Sequence, residues 1–538
     1  MRRLAALLVL AGLTACGGGG GGTASAPPPT SGLPTPDVST IAAADPGSLL
    51  PEGWQQGAVM QIFVRSYQDS DGNGSGDLRG LASRLDYLQD LGVKALWLMP
   101  VTRSQDRDHG YAVADYRDIE ADYGSLADLD ELLRQAHARG IGVMLDYVIN
   151  HSAATNPVFV NSRDSVANAY RDWYVWQAAA PSGWNVFGGN PWRIAASGAY
   201  YAPFWDQMPD WNLGHPAVAA YHRSNLRFWL NRGVDGLRFD AVGLLFENGP
   251  TAWENQPQNY TLLADLRGVV DGYARRTMVC EAPGDPRGFA LACGSAFAFD
   301  LNASLIAAAR GDAAAIARVA DYFKSAPPSM STFLSNHDAF AGQRVWDQLG
   351  GDLAQMKLAA ASYLLLPGRP FIYYGEEIGL AGAATIADDG KLRTPMSWSA
   401  DAARAGFTTG TPYRALSANV ATNNVAAQSA DADSLHAFYK AMLALRNARP
   451  SIARGGYEAA FASGSLMGFQ RVLGAERTVV LVNYGASAAT AAVSGLPARA
   501  GLTSAYPSGG ALVATADAAG NATVNVGARS VRVLAVAP

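Results

Sequence analysis

The feature that most restricts how this chain can fold is a rhythm of eight short apolar runs, each ending in polar residues. The runs span 58–67, 93–100, 141–150, 234–242, 277–283, 296–302, 331–338 and 370–377. Amphipathic stretches such as LRGLASRLDYLQDLG and LADLDELLRQAHARG separate several of them. Apolar runs of strand length joined by helical crossovers call for a parallel sheet covered on both faces. Eight such units fit a closed (β/α)8 TIM barrel better than an open sheet. In that architecture the chemistry sits at the C-terminal strand ends. Here those ends carry Arg65, Asp146, Asn150, Asp240, Glu281, His337, Asp338 and Glu376.

One connection is too long for a simple crossover. From His151 to about Gly214 the chain is rich in Trp, Tyr, Asn, Gly and Pro, which predicts a small inserted domain after strand three. Past about Ile452 the pattern changes to short alternating strands, predicting an all-β sandwich domain. The expected division is a leader over 1–16, a flexible linker over 17–45, barrel over 46–150, insertion over 151–214, barrel again over 215–451 and the β domain over 452–538. The leader MRRLAALLVLAGLTAC has two arginines, a short apolar run and small residues before Cys16. The run is too short to span a membrane and reads as an export signal. Leu13-Thr14-Ala15-Cys16 resembles a bacterial lipobox, which implies cleavage before Cys16, a lipid on its thiol and a place in the cell envelope. Export would also permit a Cys280–Cys293 disulfide.

A net charge of −5 with 16% charged residues leaves no basic surface for nucleic acid. Trp184, Trp192, Tyr200, Tyr201 and Trp205 lie in polar, glycine-rich surroundings. Their faces are candidates for stacking on sugar rings.

The run GVDGLRFDAVG poses the sharpest question. Strand alternation puts Gly236, Arg238 and Asp240 on one side. Charged residues are rarely buried unless paired. Asp240, Glu281 and Asp338 end three different strands, so one barrel mouth can gather them. Each acid taken alone reads first as a structural partner of an arginine or as a helix cap. Two carboxylates flanking a glycosidic bond are the minimum for glycoside hydrolysis.

Four ordered motifs resemble the α-amylase family, glycoside hydrolase family thirteen. They are Asp146-Tyr147-Val148-Ile149-Asn150-His151, Gly236-Leu237-Arg238-Phe239-Asp240-Ala241, Glu281, and Phe333-Leu334-Ser335-Asn336-His337-Asp338. Met208-Pro209-Asp210-Trp211-Asn212, His109-Gly110-Tyr111 and Arg393-Thr394-Pro395-Met396-Ser397-Trp398 add to the likeness, which includes the family's intermediary group. The resemblance implies Asp240 as nucleophile, Arg238 as the cation that aims it, Glu281 as acid/base and Asp338 as stabiliser of the distorted sugar. It also implies that Tyr111 stacks under the reacting ring beside His109. His151 and His337 would bond sugar hydroxyls, and Asp146 would support the site. The implied activity is retaining cleavage of α-1,4-glucosidic bonds in starch-like glucans or maltooligosaccharides. An exo-acting α-glucosidase or a transglycosylase is the alternative, with Asp108 closing the site in that case. A non-catalytic glucan-binding protein would have lost one of the acids.

The segment Asp69–Asp77 puts oxygen donors at every second position: Asp69, Asp71, Asn73, Ser75 and Asp77. That spacing matches a calcium loop with Gly74 at its turn, although Gly80 stands where an EF-hand has glutamate. The same loop resembles a calcium site in the oligosaccharide-cleaving branch of the family. Asn150 matches a ligand of a second calcium in many members, but Ala241-Val242-Gly243-Leu244 stands where that site has a Lys-His pair.

Overall fold

A computed structural model describes residues 32–537; Cys16 and the leader lie outside the described residues. Seven parallel strands form the central sheet: Val59–Ile62, Ala95–Leu98, Gly142–Tyr147, Gly236–Phe239, Thr277–Cys280, Ser331–Thr332 and Arg369–Tyr373. Every paired neighbour is parallel, and the first strand lies between the second and the last. The sixth apolar run, expected as a strand, contributes only two bridged residues. Ala296 pairs with Cys280 and Phe297 with Ser331, and these bridges bring the barrel close to closure. The run leaves the sheet because Phe299 and Leu301 turn back to Phe297 and Ala298, and the helix Asn302–Ala309 starts there.

Strand alternation sorts the core. Val59, Trp97, Met144, Val279, Phe297, Phe333 and Phe371 pack together inside the barrel. Met60, Leu96, Val143, Leu145 and Leu237 join the shell of helices outside. Burial on both faces is what made the runs read as continuous apolar segments. Leu50 and Trp54 close the N-terminal end; a side chain at Gly142 would meet Trp54 at 2.6 Å.

Residues 34–45, expected as part of a free linker, instead lie along the barrel. Asn161 donates to the Pro34 carbonyl (2.7 Å), Arg117 to Ser39 (2.8 Å), and Ala44 N–H to Asn231 (2.8 Å). Side chains of the barrel and of the insertion satisfy this backbone, so it has no reason to stay loose.

The connection after the third strand holds the helix Pro157–Asp164 and a three-stranded antiparallel sheet of Trp176–Gln177, Trp192–Ala195 and Gly198–Tyr201. Bridges from His151 to Asp210 and from Tyr174 to Trp211 tie it back to the strand end. The C-terminal part forms a six-stranded antiparallel sheet faced by a two-stranded ribbon, Ala489–Val493 with Ala522–Val526. Their apolar faces make a separate core around Leu481, Val493, Leu502 and Val524. Among the described residues, no helix is long and apolar enough to cross a membrane.

Candidate active site

Parallel register assembles the site. Asp146 lies directly across from Arg238, and Val279 from Arg238 on the other side. Asp240 and Glu281 each come just past the last paired residue of their strands, so both leave the sheet at the same level. Gly236 permits the close strand approach; a Cβ there would meet Thr277 and Met144 within 3.0 Å.

Arg238 is 1% exposed and organises three acids. Its Nη1 donates to Asp146 Oδ1 (2.8 Å) and Asp240 Oδ1 (2.7 Å), and its Nη2 reaches Glu281 Oε2 (2.8 Å). Adjacent nitrogens of one guanidinium therefore hold Asp240 and Glu281. Burial works against this cation, but Asp146, Glu281, Tyr111 and Asp240 outweigh it and keep it protonated. The residue after Asp240, Ala241, takes a left-handed backbone (φ 49°) and donates its N–H to Glu281 Oε2 (3.0 Å). That conformation is uncommon for a residue with a Cβ, and here it aims a donor at the acid.

The carboxyls are pushed in different directions. Burial raises Glu281 to about 7; Arg238 opposes this, while Asp240 and Asp338 add to it. Burial raises Asp240 less, to about 6, again against Arg238. Asp338 goes the other way. Burial works against its charge, but His337 (2.9 Å) and Arg393 (3.1 Å) hold it below the ordinary carboxylate range. Burial lowers His337, and Asp338 opposes this. Gln61 Nε2 donates to its Nδ1 (2.7 Å), which leaves Nε2–H to donate to Asp338. Burial also lowers His151, to about 4, so it is neutral.

Tyr111 stacks on His337 (5.5 Å, 7° between planes), and its hydroxyl donates to Asp146 Oδ2 (2.9 Å). His109 lies tilted beside it at 5.6 Å, and Asp106 faces the His109 ring at 3.4 Å. Asp240, Glu281, Asp338, Asp146, Arg238, Tyr111, His109 and His337 are thus brought together. His151 sits at the neighbouring strand end, against Phe204 (5.3 Å). Two expected strand-end groups go elsewhere. Arg65 bonds Asp122 and Ser75 (3.0 Å each), and Glu376 accepts from Tyr363 and Tyr439 (2.7 Å each) among the helices.

The aromatic expectation needs correcting. Trp192 and Tyr201 are buried in the small core of the insertion, with Trp184 packed against it, and Tyr200 is buried on the opposite strand face against Phe159 and Trp176, so Trp192, Tyr200 and Tyr201 present no face to a sugar. Trp205 is exposed, as are Phe187 and Phe204. Phe187 contacts both Phe204 (5.6 Å) and Trp253 (5.7 Å), making an aromatic rim that leads out from His151. Sequence reasoning missed Phe187, Phe204 and Trp253, because single aromatics in loops carry no periodicity. It also missed Gln61, Trp97 and Asp106, which hold the site residues in place.

In the loop after the first strand, the Asp69, Asp71 and Asp77 carboxylates approach within 4.8 Å of one another. Gly74 is required there: its φ is 92°, and a Cβ would strike the Thr411 carbonyl at 2.0 Å. Asn73 Oδ1 accepts from Ser75 N–H (2.7 Å), while the Ser75 hydroxyl bonds Arg65 and is turned away as a donor. A clustered set of hard oxygens is the donor chemistry that suits calcium. Near Asn150 a second group of oxygens is buried. Asn150 Nδ2 donates to Asp210 Oδ2 (2.9 Å), and Asn150 Oδ1, Asp210 Oδ1 and Glu247 Oε1 have no partner among the described residues. Burial raises Glu247 to about 8; burial and Glu247 raise Asp210 well above the ordinary range.

Paired carboxylates of unequal acidity around one buried arginine, at the C-terminal mouth of a parallel barrel, define a glycoside hydrolase site. The chain matches the model of the α-amylase catalytic domain over residues 61–455 and belongs to the α-amylase family. It is 33% identical over 502 residues to a Rhizobium meliloti (strain 1021) protein named "Probable alpha-glucosidase", covering 81% of this chain and 90% of that one. It is 35% identical over 362 residues to alpha-amylase 3 of Dictyoglomus thermophilum (strain ATCC 35947 / DSM 3960 / H-6-12), covering 65% and 69%. The crystal structure of an alpha-amylase from H. orenii superposes with a TM-score of 0.77 at 29% identity, covering 90% of this chain and all of that one.

Proposed function

We propose that this enzyme cleaves α-1,4-glucosidic bonds in starch-like glucans and maltooligosaccharides with retention of configuration. The observation that carries this reading is Arg238 holding Asp240 and Glu281 side by side at the barrel mouth, with burial raising both carboxyls and the Ala241 N–H aimed at Glu281. Asp240 attacks the anomeric carbon, and Glu281 gives its proton to the departing oxygen. A covalent glycosyl-enzyme results. Glu281, now ionised, takes a proton from water, which attacks the same carbon and frees Asp240. Asp338 faces the positive charge that develops on the sugar. Tyr111 offers its ring as a floor, and His109 and His151 supply hydrogen bonds to hydroxyls, while His337, both of its ring nitrogens engaged by Gln61 and Asp338, orients Asp338 instead of bonding sugar. Ala241 after the nucleophile, where α-1,6-specific relatives often carry valine, supports α-1,4 cleavage.

One observation favours a second reading, exo attack at the non-reducing end. Asp108 is bridged to Arg414 (2.7 Å), and Arg65 donates to the Asp108 carbonyl (3.3 Å), which makes a fixed polar pair next to His109. Product analysis on a long glucan decides between the two. Internal cleavage yields mixed oligosaccharides from the first minutes, whereas exo attack releases glucose alone. In the exo reading Asp108→Asn raises KM for maltotriose about tenfold, the loss of one charge-assisted hydrogen bond; in the endo reading KM stays put.

We also propose that Asp69, Asp71, Asn73 and Asp77, with the Ser75 carbonyl, hold calcium. The ion would act structurally, drawing the carboxylates of this loop together. Calcium at 100-fold above its Kd should stabilise the fold by about 2.7 kcal/mol. Chelation is expected to lower the unfolding midpoint, calcium to restore it, and Asp71→Asn to abolish the response. An unchanged midpoint in chelator removes the assignment. For the leader we propose export and a lipid anchor on Cys16. Labelled fatty acid should enter the parent protein and not Cys16→Ser, which should leave the membrane fraction.

A further inference from the structure

A cavity of about 450 Å3 opens at the end of the barrel opposite the carboxylates. The strand starts at Thr277 and Arg369 form one wall, and Arg471 of the C-terminal sheet forms another. Five arginines line it, Arg267, Arg276, Arg369, Arg454 and Arg471, against a single carboxylate, Asp271. Asp271 pairs with Arg267 (3.2 Å). Arg276 lies 3.4 Å from Asp235, which is also held by His137 at 2.6 Å. Among the described residues, Arg369, Arg454 and Arg471 have no carboxylate within 4.0 Å.

Backbone dipoles only partly satisfy these cations. Arg471 donates to the Leu365 and Gly455 carbonyls (3.2 and 2.7 Å). Arg369 donates to the Gln55 carbonyl (2.5 Å) and the Thr277 hydroxyl (2.7 Å). The Nε–H groups of Arg471 and Arg276 are buried with no acceptor among the described residues, and both side chains are more than nine-tenths buried. Arg446, just behind the wall, has only carbonyl acceptors among the described residues. Burial, then Arg471 and Arg369, push it down to about 9. Burial pushes Arg369 and Arg471 down to about 10. An unpaired cation held away from water is costly, and the buried Arg471 and half-buried Arg369 line this open space with no carboxylate of their own among the described residues, which leaves room for a counter-charge.

We propose that this cavity binds a phosphate group, either free phosphate or the terminal phosphate of a small organic phosphate. Guanidinium groups on several walls suit a tetrahedral oxyanion, which offers acceptors in several directions; each Nη carries two N–H groups, so those that already bond a carbonyl or hydroxyl keep a further donor. The space exceeds what a monatomic anion needs and is in the range of small-ligand sites. Because Arg471 belongs to the C-terminal sheet and Arg369 to the barrel, the anion would join the two. The site is separate from the catalytic mouth, so its occupancy does not depend on the hydrolytic reading.

The test is titration calorimetry and thermal unfolding of the full protein at constant free calcium. The probes are inorganic phosphate, glucose 6-phosphate, and sodium chloride at matched ionic strength. Phosphate is expected to give saturable heat and a raised midpoint, and chloride neither. Tighter binding of glucose 6-phosphate identifies an organic phosphate as the source; equal or weaker binding identifies free phosphate. Arg267→Gln combined with Arg454→Gln removes two cations that are half-exposed or exposed, so the fold should survive, as unchanged hydrolysis would show. This variant should bind at least tenfold more weakly. An equal response to chloride, absence of saturable heat, or full affinity in the double variant overturns the proposal.

Discussion

Asp240→Asn is expected to lower kcat on maltooligosaccharides by on the order of 10^4-fold or more while the protein stays folded. The amide keeps the shape of the side chain and its contact with Arg238 but cannot form the glycosyl-enzyme. Glu281→Gln should behave differently with substrate. On natural glucans, whose leaving group needs a proton, the loss should be about 10^2–10^4-fold. On an aryl glucoside with a good leaving group, the first step should be nearly spared. The pH profile of kcat/KM carries the same assignment. Asp240 must be ionised, so activity rises as pH passes about 6. Glu281 must be protonated, so activity falls as pH passes about 7. The two limbs belong to the coupled pair, and the falling limb should vanish in Glu281→Gln. Undiminished turnover in Asp240→Asn, or a falling limb retained in Glu281→Gln, would sink these roles.

Arg238→Gln should have the largest effect on stability. It leaves Asp146, Asp240 and Glu281 buried without their shared cation, a loss of about 3–5 kcal/mol. The pH dependence follows from the direction of the shifts. Asp240 and Glu281 are already raised above their ordinary values, so their contribution to stability is present at low pH and is lost as pH rises through about 6 and 7. Without Arg238 both should rise further. The deficit of the variant should therefore be small near pH 4 and grow toward pH 8. Arg238→Lys keeps the charge but presents one nitrogen where two are used, so the rising limb of activity should move to higher pH. Denaturant midpoints across pH check both expectations. A pH-independent deficit would mean that Arg238 acts through packing alone, with Trp97 stacked 5.0 Å from its guanidinium.

Family and fold were legible because they rest on local facts. The eight runs announced a parallel barrel through their burial on both faces. The four motifs carried Asp240, Glu281, Asp338 and Arg238 at strand ends, where register alone decides that they meet. The sixth run misled because AFAFDLN has strand composition, but the following helix takes its last residues after only two pairings. The sugar-facing aromatics misled for a related reason. Trp192, Tyr200 and Tyr201 lie on two paired strands, and the neighbours Tyr200 and Tyr201 are buried on opposite faces because both sides of that strand are covered in the fold.

What the sequence determined by itself was the alternation of strands and helices, the inventory of acids and the dense oxygen donors of Asp69–Asp77. Periodicity and spacing are properties of a chain before it folds. Only the tertiary structure decided that one guanidinium would bridge Asp240 and Glu281, and that burial would raise both while His337 and Arg393 hold Asp338 down. It alone gathered Arg369, Arg454 and Arg471, none with a carboxylate partner among the described residues, around one cavity. Acidity and charge balance depend on which groups share a volume from which water is excluded, and that volume exists only once distant segments have packed.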